Sequence, residues 1–331
     1  MISSSIIKVR LAYRFLNRIQ AGVVSGWPEG NSRITNTLAI AIPTFGREQV
    51  LVETLDFLLA LSPSATELLV VDQTPDHEPE TTKRIHELVQ QGRIRLFQQE
   101  PSIPQAMNRA LREASTDLVL FVDDDIIPAT DLVGQHLAAH QTVGVVAVVG
   151  QVLQPGEEPG DVAHVQSQTG LKADLNFCFR SIHPATVKNV MAGNLSVKRE
   201  AAIAAGGFDE NFVGVAYRFE TEFARRLSRT GGEIHYEPTA SIRHLAAARG
   251  GTRSFGKHLT SVRPEHSVGD YYFALLEGTP LEATVYCLHR FFRSVRTKFH
   301  LTHPWWIPVK LLGELRGFLW AVRLKRKGQK S

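Results

Sequence analysis

The apolar run Leu118-Val119-Leu120-Phe121-Val122 leads directly into Asp123, Asp124 and Asp125. A short β-branched and aliphatic run of this kind reads as a buried strand. Three carboxylates at its end repel one another unless a cation sits among them. In an open α/β sheet, ligands bind at the carboxyl ends of the strands. Two readings follow: a divalent metal holding a phosphate-bearing ligand, or a solvated turn of the kind adjacent Asp residues suit.

The chain before this run alternates. Leu38–Ile42 is a short apolar run stopped by Pro43, and Glu48 to Leu61 has Val50, Leu51, Leu55, Leu58 and Leu59 at helical spacing. Leu68–Val71 then reads as a strand closed by Asp72, Thr82 to Gln90 as a helix, Ile94–Phe97 as a strand and Gln105 to Ala114 as a helix. Strands alternating with helices predict a parallel, doubly wound sheet. Beyond Asp125 the pattern predicts a helix from Asp131 to His140, a Val-rich strand at Val143–Val152 and a loop-rich stretch over 154–190. It then predicts a strand at Asn194–Val197, helices at Arg199–Ala205 and Phe219–Arg229, and two short strands, Glu233–Tyr236 and Ser241–Arg243. Residues 246–268, rich in Gly, Arg and His, read as a mobile loop, and the region from Tyr271 onward as amphipathic helix. There is no internal repeat.

The ends differ from the middle. Residues 1–36 form an N-terminal extension in which Ile7, Leu11, Phe15 and Ile19 fall at four-residue steps beside Lys8, Arg10, Arg14 and Arg18. That is a basic amphipathic helix, suited to an anionic membrane surface or to packing on the body of the protein. Near the other end, Leu311, Leu312, Leu315, Phe318, Leu319 and Val322 form an apolar stripe followed by basic residues. It fits attachment to an anionic inner leaflet, a dimer interface or a cap on the core. Two distant cysteines, Cys178 and Cys287, exclude a disulfide scaffold and a Cys-ligated zinc. No run approaches a transmembrane helix, and no secretory signal is expected. The expected location is cytoplasmic, with peripheral attachment at the inner membrane face. Nucleic acid is not an expected partner.

Other residues stand where chemistry is done. Asp72 ends a strand as the Asp trio does, and suits either a base- or ribose-binding carboxylate or a turn before Gln73-Thr74-Pro75. Thr44-Phe45-Gly46-Arg47 either lays backbone against a ligand or caps the following helix. Glu220 and Glu222 offer a general base, or a solvated helix face paired with nearby arginines. His244 follows a strand downstream of the acidic trio.

In this order the residues resemble a family. The series is Ala41-Ile42-Pro43-Thr44, Val70-Val71-Asp72, Gln105-Ala106-Met107-Asn108-Arg109-Ala110, Phe121-Val122-Asp123-Asp124-Asp125, Gly193-Asn194, Gly206-Gly207-Phe208-Asp209-Glu210, Glu220-Thr221-Glu222 and His244. From Leu38 to His244 the chain resembles an inverting, nucleotide-sugar-dependent glycosyltransferase of family two. The resemblance implies a GT-A fold over 37–245, with an acceptor-side subdomain and a helical C-terminal extension over 246–331. It implies that Asp72 contacts the nucleotide base, with Pro43 and Thr44 lining the same pocket. Asp123 and Asp124 would face the ribose and neighbouring hydroxyls, and Asn108, Gly193 and Asn194 would lie on the nucleotide-sugar side. Asp125, the last of the DXD-type acids, would bind Mn2+ or Mg2+, with His244 completing the set. Glu220 would be the catalytic base.

It also implies the partners: a UDP-, dTDP- or GDP-sugar donor and a glycan or lipid-linked acceptor, in polysaccharide or glycolipid synthesis. The chain departs from the family pattern at Phe219, where an acid is expected, at Glu220 in place of Asp, and at Gln73 after the base-binding Asp. The Gly- and Arg-rich loop over 246–256 either closes over the diphosphate, with Arg249 or Arg253 adding positive charge, or is a disordered basic linker. The rivals are a degenerate sugar-nucleotide-binding or scaffold protein and a sugar-phosphate nucleotidyltransferase. The latter needs a Gly-rich loop with a basic residue after the first strand, and that position has a single Gly.

Overall fold

The apolar runs fold as strands because both of their faces are covered. In the computed structural model, which describes residues 36–162 and 169–330, the order is β1 (Leu38–Thr44), α1 (Gln49–Leu58), β2 (Glu67–Asp72), α2 (Pro79–Gln90), β3 (Arg95–Gln98), α3 (Ile103–Glu113) and β4 (Leu118–Val122). Ala39, Ala41, Leu69, Val71, Val119 and Phe121 enter one core cluster. Their alternating neighbours Leu38, Ile40, Ile42, Leu68, Val70, Leu118, Leu120 and Val122 enter a second. Successive side chains of a strand point to opposite faces, so a strand buried on both reads as continuously apolar. The basic helix expected within residues 1–36 lies outside the described residues, Asn36 excepted.

Strand order explains where the site forms. The sheet runs β3-β2-β1-β4, all parallel. The chain winds outward from β1 to β3, then returns to β1's other side as β4. The carboxyl ends of β1 and β4 therefore flank a point where the winding reverses, which opens a crevice.

Beyond β4 the sheet is mixed. It continues through β5 (Ile126–Pro128), α4 (Leu132–Ala139), β6 (Val145–Leu153), β7 (Ala185–Val187), β8 (Asn194–Lys198), α5 (Arg199–Ala204), α6 (Phe219–Arg229) and β9 (Glu233–His244). β8 is antiparallel to β4 and β6, β9 is parallel to β6, and β5 is antiparallel to β9. Two registers matter for function. Val122 pairs with Asn194, which puts Gly193 beside Asp123, and Ile126 pairs with His244, which puts His244 beside Asp125.

The structure differs from the sequence pattern in places. The two short strands expected at 233–243 are one strand of twelve residues. Gly150 pairs with Glu237 but Gln151 pairs with Ser241, so Pro238, Thr239 and Ala240 bulge out. Pro238 has no N–H to contribute to the ladder there. β5 and β7 have three residues each, too short to show a period.

The C-terminal region supplies α7 (Val268–Glu277), α8 (Pro280–Arg293), α9 (Lys298–Thr302) and α10 (Ile307–Lys327). A capping box between Thr279 and Glu282 starts α8. Tyr271, Tyr272, Ala321 and Leu324 join the same core cluster as Phe121 and Phe223. The secondary structure changes at 246, but the core continues across that boundary. Residues from Asn36 onward form one compact unit. The tail then returns to the turn before α6: Lys330 N–H donates to Asp209 Oδ1 at 3.0 Å, and Gln329 Nε2 donates to Glu222 Oε1 at 2.8 Å.

One buried polar group has a consequence for stability. His136 and His140 face β8 from α4. His136 lies 2.8 Å from Ser196 Oγ through Nδ1 and 2.9 Å from Asn194 Oδ1 through Nε2, and His140 Nε2 lies 2.8 Å from the same Ser196 Oγ. Burial pushes their pKa values down, to about 4 for His136 and about 3 for His140. Both are thus neutral when folded but take up protons near pH 6.5 when unfolded. Their contribution to stability is present above pH 6.5 and is lost as pH falls toward about 4. Urea unfolding of wild type and His136→Gln/His140→Gln checks this. The wild-type midpoint should fall more steeply between pH 6.5 and 4.5 than that of the variant. Parallel curves would show that these histidines do not titrate with folding.

Candidate active site

A cleft of about 380 Å³ opens at the carboxyl ends of β1 and β4, and Pro43, Thr44, Asp123, Asp124, Asp125, Gly193, Glu220 and His244 all line it. These residues come from five separate parts of the chain. The strand registers bring them together.

The three aspartates are not equivalent. Asp124 is buried. Thr44 Oγ1 donates to its Oδ2 at 2.8 Å and Arg47 Nε to its Oδ1 at 3.0 Å. Burial raises its pKa to about 6, against the opposing pull of Arg47 and Thr44. Asp125 is 1% exposed. Its Oδ2 accepts from Ala247 N–H at 2.7 Å and lies 3.4 Å from an Arg47 guanidinium nitrogen. Burial works against its charge, but the His244 ring, the Ala247 N–H and Arg47 outweigh burial and hold its pKa below the ordinary carboxylate value. Asp123 stands at the mouth of the cleft with its side chain about half exposed (48%). Gly193 makes room for it: a Cβ there would sit 2.3 Å from Asp123 Oδ2.

Asp125 Oδ1 is buried and accepts no well-formed hydrogen bond. What faces it is His244 Nε2, at 3.1 Å. His244 Nδ1 lies 3.0 Å from the amide oxygen of Gln154, which only accepts, so Nδ1 carries the proton. Nε2 then faces the carboxylate oxygen, donating to it when the ring is protonated and able to act as a ligand where a cation takes the proton's place. Two donor atoms so placed suit a cation held between them. Among the described residues, no group of three His, Cys, Asp or Glu converges as a complete metal site. Among the described residues, Asp125 and His244 could supply two ligands, and the rest of a shell would come from elsewhere.

Arg47 ties this end of the sheet together. Its side chain is 7% exposed. Besides Asp124 and Asp125 it donates to the carbonyls of Ala247 and Arg249. Gly251 N–H donates to Phe45 O at 2.7 Å, and Gly250, at φ 77°, packs so closely on Phe45 and Gly46 that a Cβ would strike their carbonyls. The first turn of the loop expected to be mobile over 246–268 is thus pinned to the end of β1, and Gly251–Phe255 forms a 3-10 turn.

Glu220 enters the cleft from the first turn of α6. Its Oε1 accepts from Ala192 N–H at 2.6 Å. Burial raises its pKa to about 7; the Ala192 bond opposes this and the charge of Asp123 adds to it. Phe219, where the family pattern has an acid, is a core residue. Its ring packs 5.8 Å from that of Phe208 and anchors the start of α6. Arg218 before it has φ 75°, a strained value for a residue with a side chain. Its guanidinium pairs at 3.3 Å with the fully buried Asp270 of α7. The C-terminal helices thereby hold the turn that presents Glu220. Glu222, the other candidate, is buried away from solvent and bound to Arg226 at 2.5 Å and 2.8 Å.

Three expected site residues do not line the cleft. Asp72 lies next to it, beside Thr44 in register. Its oxygens are engaged by Thr74 N–H at 2.9 Å and His77 Nε2 at 3.0 Å, and Gln73 is the neighbour that faces the cleft. Asn108 is structural: it donates to Phe208 O at 2.8 Å and accepts from Phe208 N–H at 2.7 Å, clasping the Gly206-Gly207 turn. Asn194 is fully buried, with its amide donating to Gln151 O and Ala240 O. Neither faces the cleft in which donor contact was expected. Paired amide bonds to backbone satisfy a buried Asn completely, and nothing in a sequence distinguishes this from ligand binding. Arg47 was legible as a residue type near a strand end, but its four partners are distant in sequence.

Residues 39–196 match the family model described as Glycosyl transferase family 2. No curated protein matches the chain. Among solved structures, the mannosyltransferase PcManGT from Pyrobaculum calidifontis, in complex with GDP-Man and Mn2+, is similar with a TM-score of 0.52 at 18% identity, over 96% of this chain and 86% of that one. GalNAc-T7, with UDP, GalNAc and Mn2+, gives a TM-score of 0.53 at 11% identity, over 89% of this chain and 66% of that one. S. aureus TarS gives 0.51 at 13% identity, over 79% of this chain and 44% of that one. At these identities the likeness establishes a shared GT-A fold.

Replacing Arg47 tests the electrostatic account. Arg47→Ala leaves two buried carboxylates short of their partner, a loss of about 3–5 kcal/mol at neutral pH. Protonation relieves that penalty, so the stability gap between wild type and variant should narrow from pH 8 to pH 5 in denaturant titrations. A gap that does not depend on pH would assign Arg47 a packing role alone.

Proposed function

We propose that this glycosyltransferase, whose residues 39–196 form a family-two domain, moves a sugar from a nucleoside-diphosphate donor to an acceptor hydroxyl with inversion at the anomeric carbon. The observation that carries the reading is the meeting, in one cleft, of a raised-pKa carboxylate with an Asp–His pair whose facing oxygen and nitrogen lie 3.1 Å apart.

Each group has a task in this reading. Thr44, Gln73, Asp123 and Gly193 line the part of the cleft where the nucleotide and sugar would lie, with Asp72 reached through Gln73 and the β1–β2 edge. Asp125 and His244 would hold a divalent cation, Mn2+ being favoured by the imidazole ligand. Such an ion commonly keeps one or two protein ligands and takes the remainder from substrate phosphates, which suits a site with no third protein ligand. When bound, it would neutralise charge on the departing diphosphate. The two solved relatives that contain GDP-Man or UDP also contain Mn2+, which supports the assignment.

Glu220 would take the acceptor's proton. An alcohol is too weak an acid to ionise by itself, so a carboxylate must remove its proton as the new C–O bond forms and the bond from the anomeric carbon to the diphosphate oxygen breaks. A carboxyl pushed up to about 7 is a stronger base than an ordinary one and remains largely ionised just above neutrality. Attack opposite the leaving group inverts the centre. Ala192 N–H fixes one oxygen of Glu220 and leaves the other for the acceptor.

Two measurements check this. Because Glu220 works deprotonated, kcat/KM should fall as pH drops below about 7, and Glu220→Gln should lower turnover by about 100-fold or more with donor affinity unchanged. Turnover within a few-fold of wild type would remove Glu220 as the base, and donor binding without any turnover by the wild type would favour a non-catalytic sugar-nucleotide binder. Thermal shift with UDP, GDP and dTDP sugars should show stabilisation that grows with Mn2+ and is lost in Asp125→Asn. Equal stabilisation with and without the ion would sink the cation assignment.

A further inference from the structure

A second cavity lies far along the chain from the active-site residues. It is an apolar groove of about 560 Å³ between α7, α8 and α10, walled by Leu275, Ala283, Leu288, Phe291, Leu315 and Phe318 among others. Lys325 is the sole charged residue in its described lining, and its ammonium donates to Leu275 O at the wall.

The groove is the meeting line of two exposed apolar stripes. On α8, Leu281, Val285, Leu288 and Phe292 are 75%, 53%, 54% and 56% exposed, at steps of four, three and four. On α10, Leu312, Leu315 and Leu319 are 50%, 46% and 47% exposed, at steps of three and four. Leu288 and Leu315 belong both to a stripe and to the groove, so the two stripes form one face. Trp305, before α10, is 64% exposed. The opposite side of α10 is the packed one, where Gly313 and Gly317 sit so close to Ser261 and Ser267 that a Cβ would strike them.

Charge states what covers this face. Between Pro280 and Lys330 the sequence has eleven Lys and Arg against two acids, Glu282 and Glu314. Glu314 is buried with Lys310 and Arg290, and Glu282 is used in the cap of α8. Arg293, Arg296, Lys298, Arg316, Arg323 and Lys327 remain exposed. At about 100° per residue, the α10 leucines span an arc of about 60°, and Arg316, Arg323 and Lys327 occupy roughly the next 40° beside it. An apolar stripe flanked by cations, on a helix too charged to span, is the design of a helix lying in the plane of an anionic bilayer. Among the described residues no helix is long and apolar enough to cross a membrane. A second protein copy would bring the same positive field and be repelled.

We propose that α8 and α10 dock this protein on an anionic bilayer, with the groove between them receiving an acyl chain of that bilayer. The docking is a separate property from sugar transfer and is read without turnover. It brings a hydroxyl or phosphate acceptor carried on a lipid to the same surface as the enzyme.

Co-flotation of the full chain with phosphatidylglycerol–phosphatidylcholine vesicles tests it, with pure phosphatidylcholine vesicles in parallel. Binding should be stronger to the anionic vesicles and weaken as salt rises. Leu288→Glu/Leu315→Glu should weaken it about tenfold or more, and Arg316→Glu/Arg323→Glu should remove the preference for anionic lipid. Both pairs are surface positions, and circular dichroism would verify their folding. Lipids brominated along the chain should quench tryptophan emission, and Trp305→Phe should lose part of that quenching. Unchanged binding in the leucine variant, or unchanged quenching without Trp305, would overturn the proposal by placing any attachment elsewhere. A lipid-free dimer that the leucine variant converts to monomer would overturn it in favour of a self-association face.

Discussion

The Arg47 guanidinium, set among carboxylates and carbonyls, is the interaction on which the active-site end of the molecule depends. Two acids at the end of β4 and a loop from beyond β9 all converge on it. None of them could be buried together without it. Two like charges in a poorly solvated crevice drive one another toward protonation, and Asp124 already has a raised pKa even with Arg47 in contact. The fold therefore sets Arg47 against Asp124, Asp125 Oδ2 and the loop, and leaves Asp125 Oδ1 to the His244 ring. The local structure is satisfied, and the residual negative charge is directed to one atom, facing His244.

Topology makes this concentration possible. The turn between β4 and β5 carries all three aspartates, and β5 is held by β9, whose last residue is His244. β8 enters antiparallel beside β4, so the glycine preceding it lies against Asp123. A single strand end thus collects a histidine from 120 residues later and a glycine from 70 residues later through ladder hydrogen bonds alone. Flexible loops are not needed to assemble the ligand-facing atoms. The cleft is preorganised, which is what electrostatic stabilisation of a leaving group requires.

The parallel half of the sheet was readable because each strand is a continuous apolar run and each helix has a clear period. Leu118–Val122 was placed to the residue. The mixed half was less readable for physical reasons. β5 and β7 owe their existence to pairing with β9, not to their own three residues, and the bulge in β9 hides one strand as two. In the site, the acids and His244 could be picked out by position at strand ends, because unpaired charge at such places is costly. The burial of Asn108 and Asn194 away from the cleft was not legible, since an amide satisfied by backbone and one awaiting a ligand look alike in sequence. Arg47 stood in view, but its role arises only from contacts with residues about 80 and 200 positions away.

The C-terminal helices turn out to serve the cleft as well as the surface. Asp270 accepts from Tyr286 and Arg290 and pairs with Arg218, so a buried ion network spans from α8 to the residue two before Glu220. A left-handed backbone at Arg218 is strained by itself, and such strain persists only where surrounding contacts over-determine it. Arg218 is also the positive charge that restrains the pKa of Glu220. Any force that shifted α8 would be felt at both the position and the basicity of that carboxylate. The exposed stripe of α8 lies on the side of the same helix that Asp270 does not hold. Contact at that face and the geometry of the base are therefore joined through one helix, by packed side chains and without a hinge.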